Sequence, residues 1–215
     1  MSYSGAAARP GQPDVARPLG DLEIPELVRR AQDGSLPCFA ELVKRFEGRL
    51  FNFVLRRTQS PKDTEDLVQD TFVRAWQRIG QYNPRWQFST WLYTIAHRLA
   101  IAQRHRLRRE ARPACLDHVP AECDPARPAA DREQCRHIWA LADRLLPETQ
   151  RVALWLRYAE GLGTSEIARV LGKSRVGVRV MLFRARERLA ANLRSAPIRR
   201  PAATTNQQLT GELAC

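Results

Sequence analysis

Residues 86–109, WQFSTWLYTIAHRLAIAQRHRLRR, place stacking surfaces directly ahead of permanent cations. Trp86, Phe88, Trp91 and Tyr93 come first. Arg98, Arg104, Arg106, Arg108 and Arg109 follow, with His97 and His105 among them. Flat aromatic rings hold unstacked bases, at about 1–3 kcal/mol per base in single-strand binders. Guanidinium groups fork onto phosphate oxygens and stack on bases better than ammonium groups do. Both are binding chemistries. The sequence contains no phosphate-cradling glycine loop, no metal triad and no nucleophile–base constellation, so a non-enzyme without a cofactor is expected.

The overall charge points the same way. Lys and Arg total 35 against 23 Asp and Glu, a net charge of +12. Such a balance favours a polyanionic partner, nucleic acid ahead of a membrane surface. No apolar stretch approaches the roughly 20 residues that a bilayer span needs, and residues 1–20 hold no leader-like apolar run. A cytoplasmic location without membrane insertion is expected, and there the cysteines stay free thiols. Cys115, His118, Cys123, Cys135 and His137 gather around one segment, but their spacing fits no paired CxxC pattern, and no metal is assigned to them.

The elements that position these groups are all helical. Residues 1–20, rich in Ala, Pro and Gly, are expected to be disordered. A first helix starts near Ile24-Pro25-Glu26 and stops at Gly34. A second runs from Leu36 to Thr58, with Phe39, Leu42, Val43, Phe46, Leu50, Phe53 and Val54 spaced by three and four. Ser60-Pro61-Lys62-Asp63 has the form of a capping box and opens a third helix with Val68, Phe72, Ala75 and Ile79 inward. Asn83-Pro84 breaks the chain, and the opening stretch follows as a fourth helix to about Arg112, with Trp86 and Phe88 in the loop before it. Residues 113–131 hold Pro113, Pro120, Pro125 and Pro128 and reverse the charge to acidic, which marks a linker. A second helical block covers 132–194 in four pieces, and 195–215 is expected to be disordered. The fold class is therefore all-α: two small helical domains, 21–112 and 132–194, joined by a flexible linker.

Three surfaces follow from the patterning. Residues 164–183, TSEIARVLGKSRVGVRVMLF, read as a helix-turn-helix: Thr164 as the cap, Ile167, Ala168 and Leu171 inward, Gly172 at a left-handed turn, and a second helix with Val178, Leu182, Ala185 and Leu189 inward. Lys173, Arg175 and Arg179 sit at its start, where recognition helices meet bases and phosphates. On the third helix, Asp66, Gln69, Asp70, Val73 and Gln77 form a face the core does not use. In a basic chain this acid–amide face is no nucleic-acid surface and suits docking to another protein. On the fourth helix, Leu92, Ile95, Ala96, Leu99 and Ala102 form the inner side, and Thr94, His97, Arg98, Arg104, His105 and Arg108 the outer, with Trp91 and Tyr93 flanking.

Three stretches, DTEDLVQDTFVRAWQRI (63–79), FSTWLYTIAHRLA (88–100) and LPETQRVALWLRYAEGLGTSEIARVLGKSRVGVRVMLFRARERL (146–189), resemble RNA polymerase sigma factors of the extracytoplasmic-function group. The resemblance covers about 21–194. It implies that 21–112 is sigma region 2 and 132–194 is sigma region 4. It implies that Asp66, Gln69, Asp70 and Gln77 dock on the β′ clamp helices of core RNA polymerase, a partner that also presents its β subunit. It implies that Trp86, Phe88, Trp91, Tyr93, His97, Arg98, Arg104 and Arg108 engage the −10 element of promoter DNA. It implies that Thr164, Lys173, Ser174, Arg175, Arg179 and Arg184 engage the −35 element. An anti-sigma factor is a further candidate partner, and the acidic linker suits a channel built for RNA. Two departures from the common pattern, Arg98 in place of Asn and Val180-Met181 in place of a polar-basic pair, bear on which promoter is read.

Two other functions fit parts of the sequence. An autonomous helix-turn-helix transcriptional regulator would use 132–194 for DNA and 21–112 for dimerisation, but it would need neither the acid–amide face nor the aromatic loop. A zinc- or redox-controlled sensor would use the Cys and His residues around the linker.

Overall fold

The structure, a computed structural model, describes residues 18–58, 60–109 and 129–195, the side chains of 107, 108, 129–134 and 195 excepted. After a 3₁₀ turn at Leu19–Asp21 come α1 (Ile24–Gln32), α2 (Leu36–Thr58) and α3 (Pro61–Gln77). A second 3₁₀ turn at Ile79–Gln81 leads to α4 (Phe88–Arg109). The second block is α5 (Ala129–Leu145), α6 (Glu148–Tyr158), α7 (Thr164–Leu171) and α8 (Arg175–Ser195). No strand occurs among the described residues. Most of the linker and both chain ends lie outside them, as do Cys115, His118 and Cys123.

The helix boundaries have local causes. Ser60 Oγ accepts from Asp63 N at 3.3 Å, with Pro61 at the first helical position of α3. The Thr58 and Thr64 hydroxyls meet at 2.6 Å and tie the end of α2 to the start of α3. Gly34 and Gly172 have φ of 95° and 61°, a region that glycine enters without a Cβ penalty. Gly172 thereby ends α7 and turns the chain into α8. Thr164 is the first residue of α7 and not its cap. Gly163 holds the cap position, and Glu166 reaches back to accept from Gly163 N at 2.8 Å.

In the first domain α2 packs against α1, α3 and α4. Leu42, Leu50, Phe53, Val54, Leu67, Ala75, Leu92 and Ala96 are buried between them. In the second, α6 and α7 pack against α8 around Val152, Leu156, Ile167, Val178, Leu182 and Ala185. The two helical domains are in contact. They share one continuous apolar core, and α4 packs directly against α7.

Arg56 pins this junction. Its guanidinium lies 4.8 Å from the Trp139 ring centroid and 4.1 Å from that of Trp155, with the two indoles 5.2 Å apart. Asp143 stands 3.7 Å from the same guanidinium. A cation over an aromatic face is worth about 0.5–2 kcal/mol, more as water is excluded. Arg56→Ala is expected to leave the helical content unchanged by circular dichroism, to raise the radius of gyration in small-angle scattering and to red-shift the Trp139 and Trp155 emission. Unchanged scattering and emission would mean that the domains are held without the pin.

Candidate nucleic-acid and polymerase interfaces

The acid–amide face is open. Asp66, Gln69, Asp70, Val73 and Gln77 are all exposed on α3, and their spacing of three, four and seven keeps them on one line. The inner line of the same helix, Leu67, Val68, Thr71, Phe72 and Ala75, is buried against the first-domain core.

The aromatic loop is built rather than loose. Tyr82 donates its hydroxyl to the Trp86 carbonyl at 2.6 Å, and Asn83 Oδ1 accepts from Arg85 N at 3.0 Å. Gln32 of α1 donates to the Ile79 and Tyr82 carbonyls and holds the loop's base to the body of the domain. Trp86 is half-buried, with the Arg169 guanidinium from α7 4.6 Å from its ring centroid.

Phe88 and Tyr93 depart from the sequence reading. Phe88 opens α4 and is 2% exposed. Its ring meets Phe46 edge-on at 5.3 Å and lies 5.9 Å from Tyr82 and 5.7 Å from Trp91. Tyr93 is fully buried with its ring 4.9 Å from Phe53, and burial beside Glu160 pushes its phenol upward, so it stays protonated. Both are core groups. Trp91 is half-buried against Tyr82 and Phe88 and packs on the core, whereas half-buried Trp86 lies outside it.

The outer side of α4 departs too. Thr94 and His97 are buried, whereas Ala102, expected inside, is exposed. The second domain covers this face. Arg57 of α2 donates to His97 Nδ1 at 2.5 Å. Arginine can only donate, so Nδ1 accepts and the ring carries its proton on Nε2. Glu148, in the first turn of α6, pairs with Arg57 at 3.0 Å and with Arg104. Glu160 pairs with Arg49 at 2.5 Å, and Glu166 accepts from the Thr90 hydroxyl at 2.9 Å. Every acid in these contacts belongs to the second domain, and every cation to the first. Arg98 remains exposed, and the Arg108 side chain lies outside the described residues.

The far side of the second domain has the opposite sign. Lys173, Ser174, Arg175, Arg179 and Arg184 are exposed at and beyond the start of α8, and Thr164 is half-buried. Ser174 caps the helix, its Oγ accepting from Gly177 N at 3.0 Å. Sequence reading missed Arg49, Arg56, Arg57, Thr90, Asp143, Glu148, Glu160, Glu166 and Arg169 as junction residues. Each sits at an ordinary place in its own helix pattern. Among the described residues no group of three or more His, Cys, Asp or Glu is placed to hold a metal. Cys135 is a half-buried free thiol, and His137 is exposed.

A four-helix unit with an acid–amide face, joined to a helix-turn-helix with a basic outer face, is the architecture of a two-region sigma factor. The Sigma-70 region 2 profile matches residues 42–112, and the Sigma-70 region 4 profile matches 144–189. The chain is 34% identical over 159 residues to the extracytoplasmic-function (ECF) sigma factor SigE of Mycolicibacterium smegmatis, covering 72% of this chain and 61% of that relative, so it spans less than two thirds of SigE's length. It is 31% identical over 173 residues to the ECF sigma-E factor of Escherichia coli, covering 75% of this chain and 89% of that one. The solved structure of CnrH in complex with the cytosolic domain of CnrY superposes with a TM-score of 0.56 at 26% identity, covering 80% of this chain and 97% of CnrH. The chain belongs to the ECF group of RNA polymerase sigma factors.

His97 provides a test of the closed junction. Burial first, then the charges of Arg57, Arg104 and Arg98, holds its pKa down at about 3. In the unfolded chain the ring takes a proton below about pH 6.5. Unfolding therefore binds a proton between these values, and stability falls as pH drops from about 6.5 towards 3. His97→Gln is expected to make this acid limb shallower in urea unfolding measured from pH 7 to 4. An unaltered slope would place the titration on other groups.

Proposed function

We propose that this sigma factor binds core RNA polymerase through α3, reads a −35 duplex with α8, and holds melted −10 DNA with the loop and outer face of α4. The observation that carries the reading is the pairing of an exposed acid–amide face with a basic recognition helix in one chain. A lone helix-turn-helix regulator has no use for such a face. The chain supplies recognition and strand separation, and bond formation belongs to the polymerase. Its proposed site of action is cytoplasmic DNA. Among the described residues no helix is long and apolar enough to cross a membrane. The CnrH structure holds the cytosolic domain of a second protein, CnrY; by analogy a protein partner of this chain is proposed, the anti-sigma factor that the resemblance implies.

Promoter binding must open the junction. Glu148 occupies Arg57 and Arg104, Glu166 occupies Thr90, and Arg169 covers Trp86. Carboxylates stand where phosphate oxygens would bind, so DNA and the second domain compete for the same groups. Run-off transcription with core polymerase tests the function directly, and a chain that shifts duplex DNA alone but starts no transcript would favour the autonomous regulator.

The docking face and the melting loop are separable. Asp70→Arg reverses a charge on an exposed site, so the fold should persist while core-polymerase pull-down weakens. A reversed charge at such a surface costs about 2–5 kcal/mol where the pair is desolvated. Unchanged pull-down would remove α3 from the interface. Trp86→Ala is expected to lower open-complex formation on duplex promoters and to matter much less on a template mismatched across the −10 region. An equal defect on both templates would remove the melting role. Phe88→Ala, by contrast, is a core deletion costing about 3–5 kcal/mol, and its defect should appear first in thermal unfolding.

A further inference from the structure

The outward line of α8 carries exposed apolar side chains that lie outside the core formed by the described residues. Val176, Val180 and Phe183 are 66, 41 and 58% exposed. They are four and three residues apart, which puts them on one line at about 100° per residue. That line lies opposite the buried one of Val178, Leu182, Ala185 and Leu189. Exposed Arg179 flanks it on one side and exposed Arg184 on the other. Lys173 and the Ser174 cap stand at its leading end.

Single exposed apolar residues need no explanation, but three on the most protruding line of a helix do. Their setting selects the occupant. Arginines at both edges fit a polyanion with apolar groups at its centre. In the major groove of duplex DNA only thymine offers one, its 5-methyl. The other base edges there present donors and acceptors that valine and phenylalanine leave unsatisfied, which is costly once water is excluded.

Resting on the −35 reading above, we propose that Val176, Val180 and Phe183 form a thymine-methyl-reading line. Arg179 and Arg184 hold the phosphates or guanine edges beside it. From Val176 to Phe183 the line rises about 10 Å, at roughly 1.5 Å per residue, which spans about three base steps of roughly 3.4 Å. The element read by this chain therefore carries thymines clustered within about three or four base pairs. Val180, at the centre of the line, sets specificity.

The test uses the full chain with core polymerase. An upstream element is first selected from duplexes randomised only in the −35 region. Each thymine of the selected element is then replaced by deoxyuridine, which removes the methyl and nothing else. Each read methyl is expected to be worth about fourfold in binding, the effect of one buried methyl group. Val180→Ser, at an exposed position, should keep the fold by circular dichroism and bind thymine and deoxyuridine equally at the position beneath it. Arg179→Ala should weaken binding while leaving the thymine-to-deoxyuridine ratio unchanged. A selected element without clustered thymines, a flat deoxyuridine scan, or an unchanged ratio in Val180→Ser overturns the proposal. A flat scan combined with weakened core-polymerase binding by Val180→Ser would identify the line as a protein contact instead. Promoter-dependent transcription alongside a flat scan retires only the methyl reading, whereas absence of such transcription overturns the sigma reading and this proposal together.

Discussion

The closed form of the molecule depends on one buried charge. Arg57 is nearly out of reach of water, and that burial lowers its pKa to about 10, which leaves it charged at neutral pH. A buried cation without a partner is strongly destabilising. Its carboxylate comes from Glu148 on the other domain, and its second acceptor is His97 on α4. Satisfying one side chain of α2 thus fixes the second domain against α4. The same packing adds the Arg57 charge to the burial that keeps His97 neutral, and it sets neighbouring Arg56 over the rings of Trp139 and Trp155. Glu148 is well placed for this role, since the first turn of α6 favours an anion.

The second domain is polar in the electrostatic sense. Asp143, Glu148, Glu160 and Glu166 face the first domain, and Lys173, Arg175, Arg179 and Arg184 face away. In the closed form its acids pair with Arg49, Arg56, Arg57 and Arg104, of which Arg104 belongs to the proposed −10 set. On the proposed reading, opening the junction releases these cations to phosphates and leaves the outer face to duplex DNA. Salt bridges between partly exposed groups are weak individually. The junction can therefore be stable in isolation and still yield to a polyanion that offers many phosphates at once.

Much of the local structure was legible from spacing. The bounds of α1, α2 and α7, the turn at Gly172, the inner line of α8 and the exposed face of α3 follow from apolar periodicity and cap chemistry, which are properties of adjacent turns. Trp86 in its loop, and Lys173, Arg175, Arg179 and Arg184 on an open face, were likewise readable: among the described residues the four cations stay exposed, and Trp86 is half-buried with Arg169 over its ring.

Periodicity assigns one inner face to a helix, whereas α4 has two. Thr94 and His97 lie opposite the first-domain stripe and read as solvent-facing, yet both are buried in a helix that packs on α7 as well as on α2 and α3. Phe88 sits where a Pro-broken loop meets a helix, and only the approach of Phe46, Tyr82 and Trp91 decides that it is core. Glu148 and Arg57 lie far apart along the chain, and no local pattern links them. The helices, their caps, the all-α class and the outward faces of α3 and α8 were already written in the residue order, because they depend on contacts within a few turns. Which outward faces stay outward was settled by packing alone, because burial by a distant domain leaves no period in the chain.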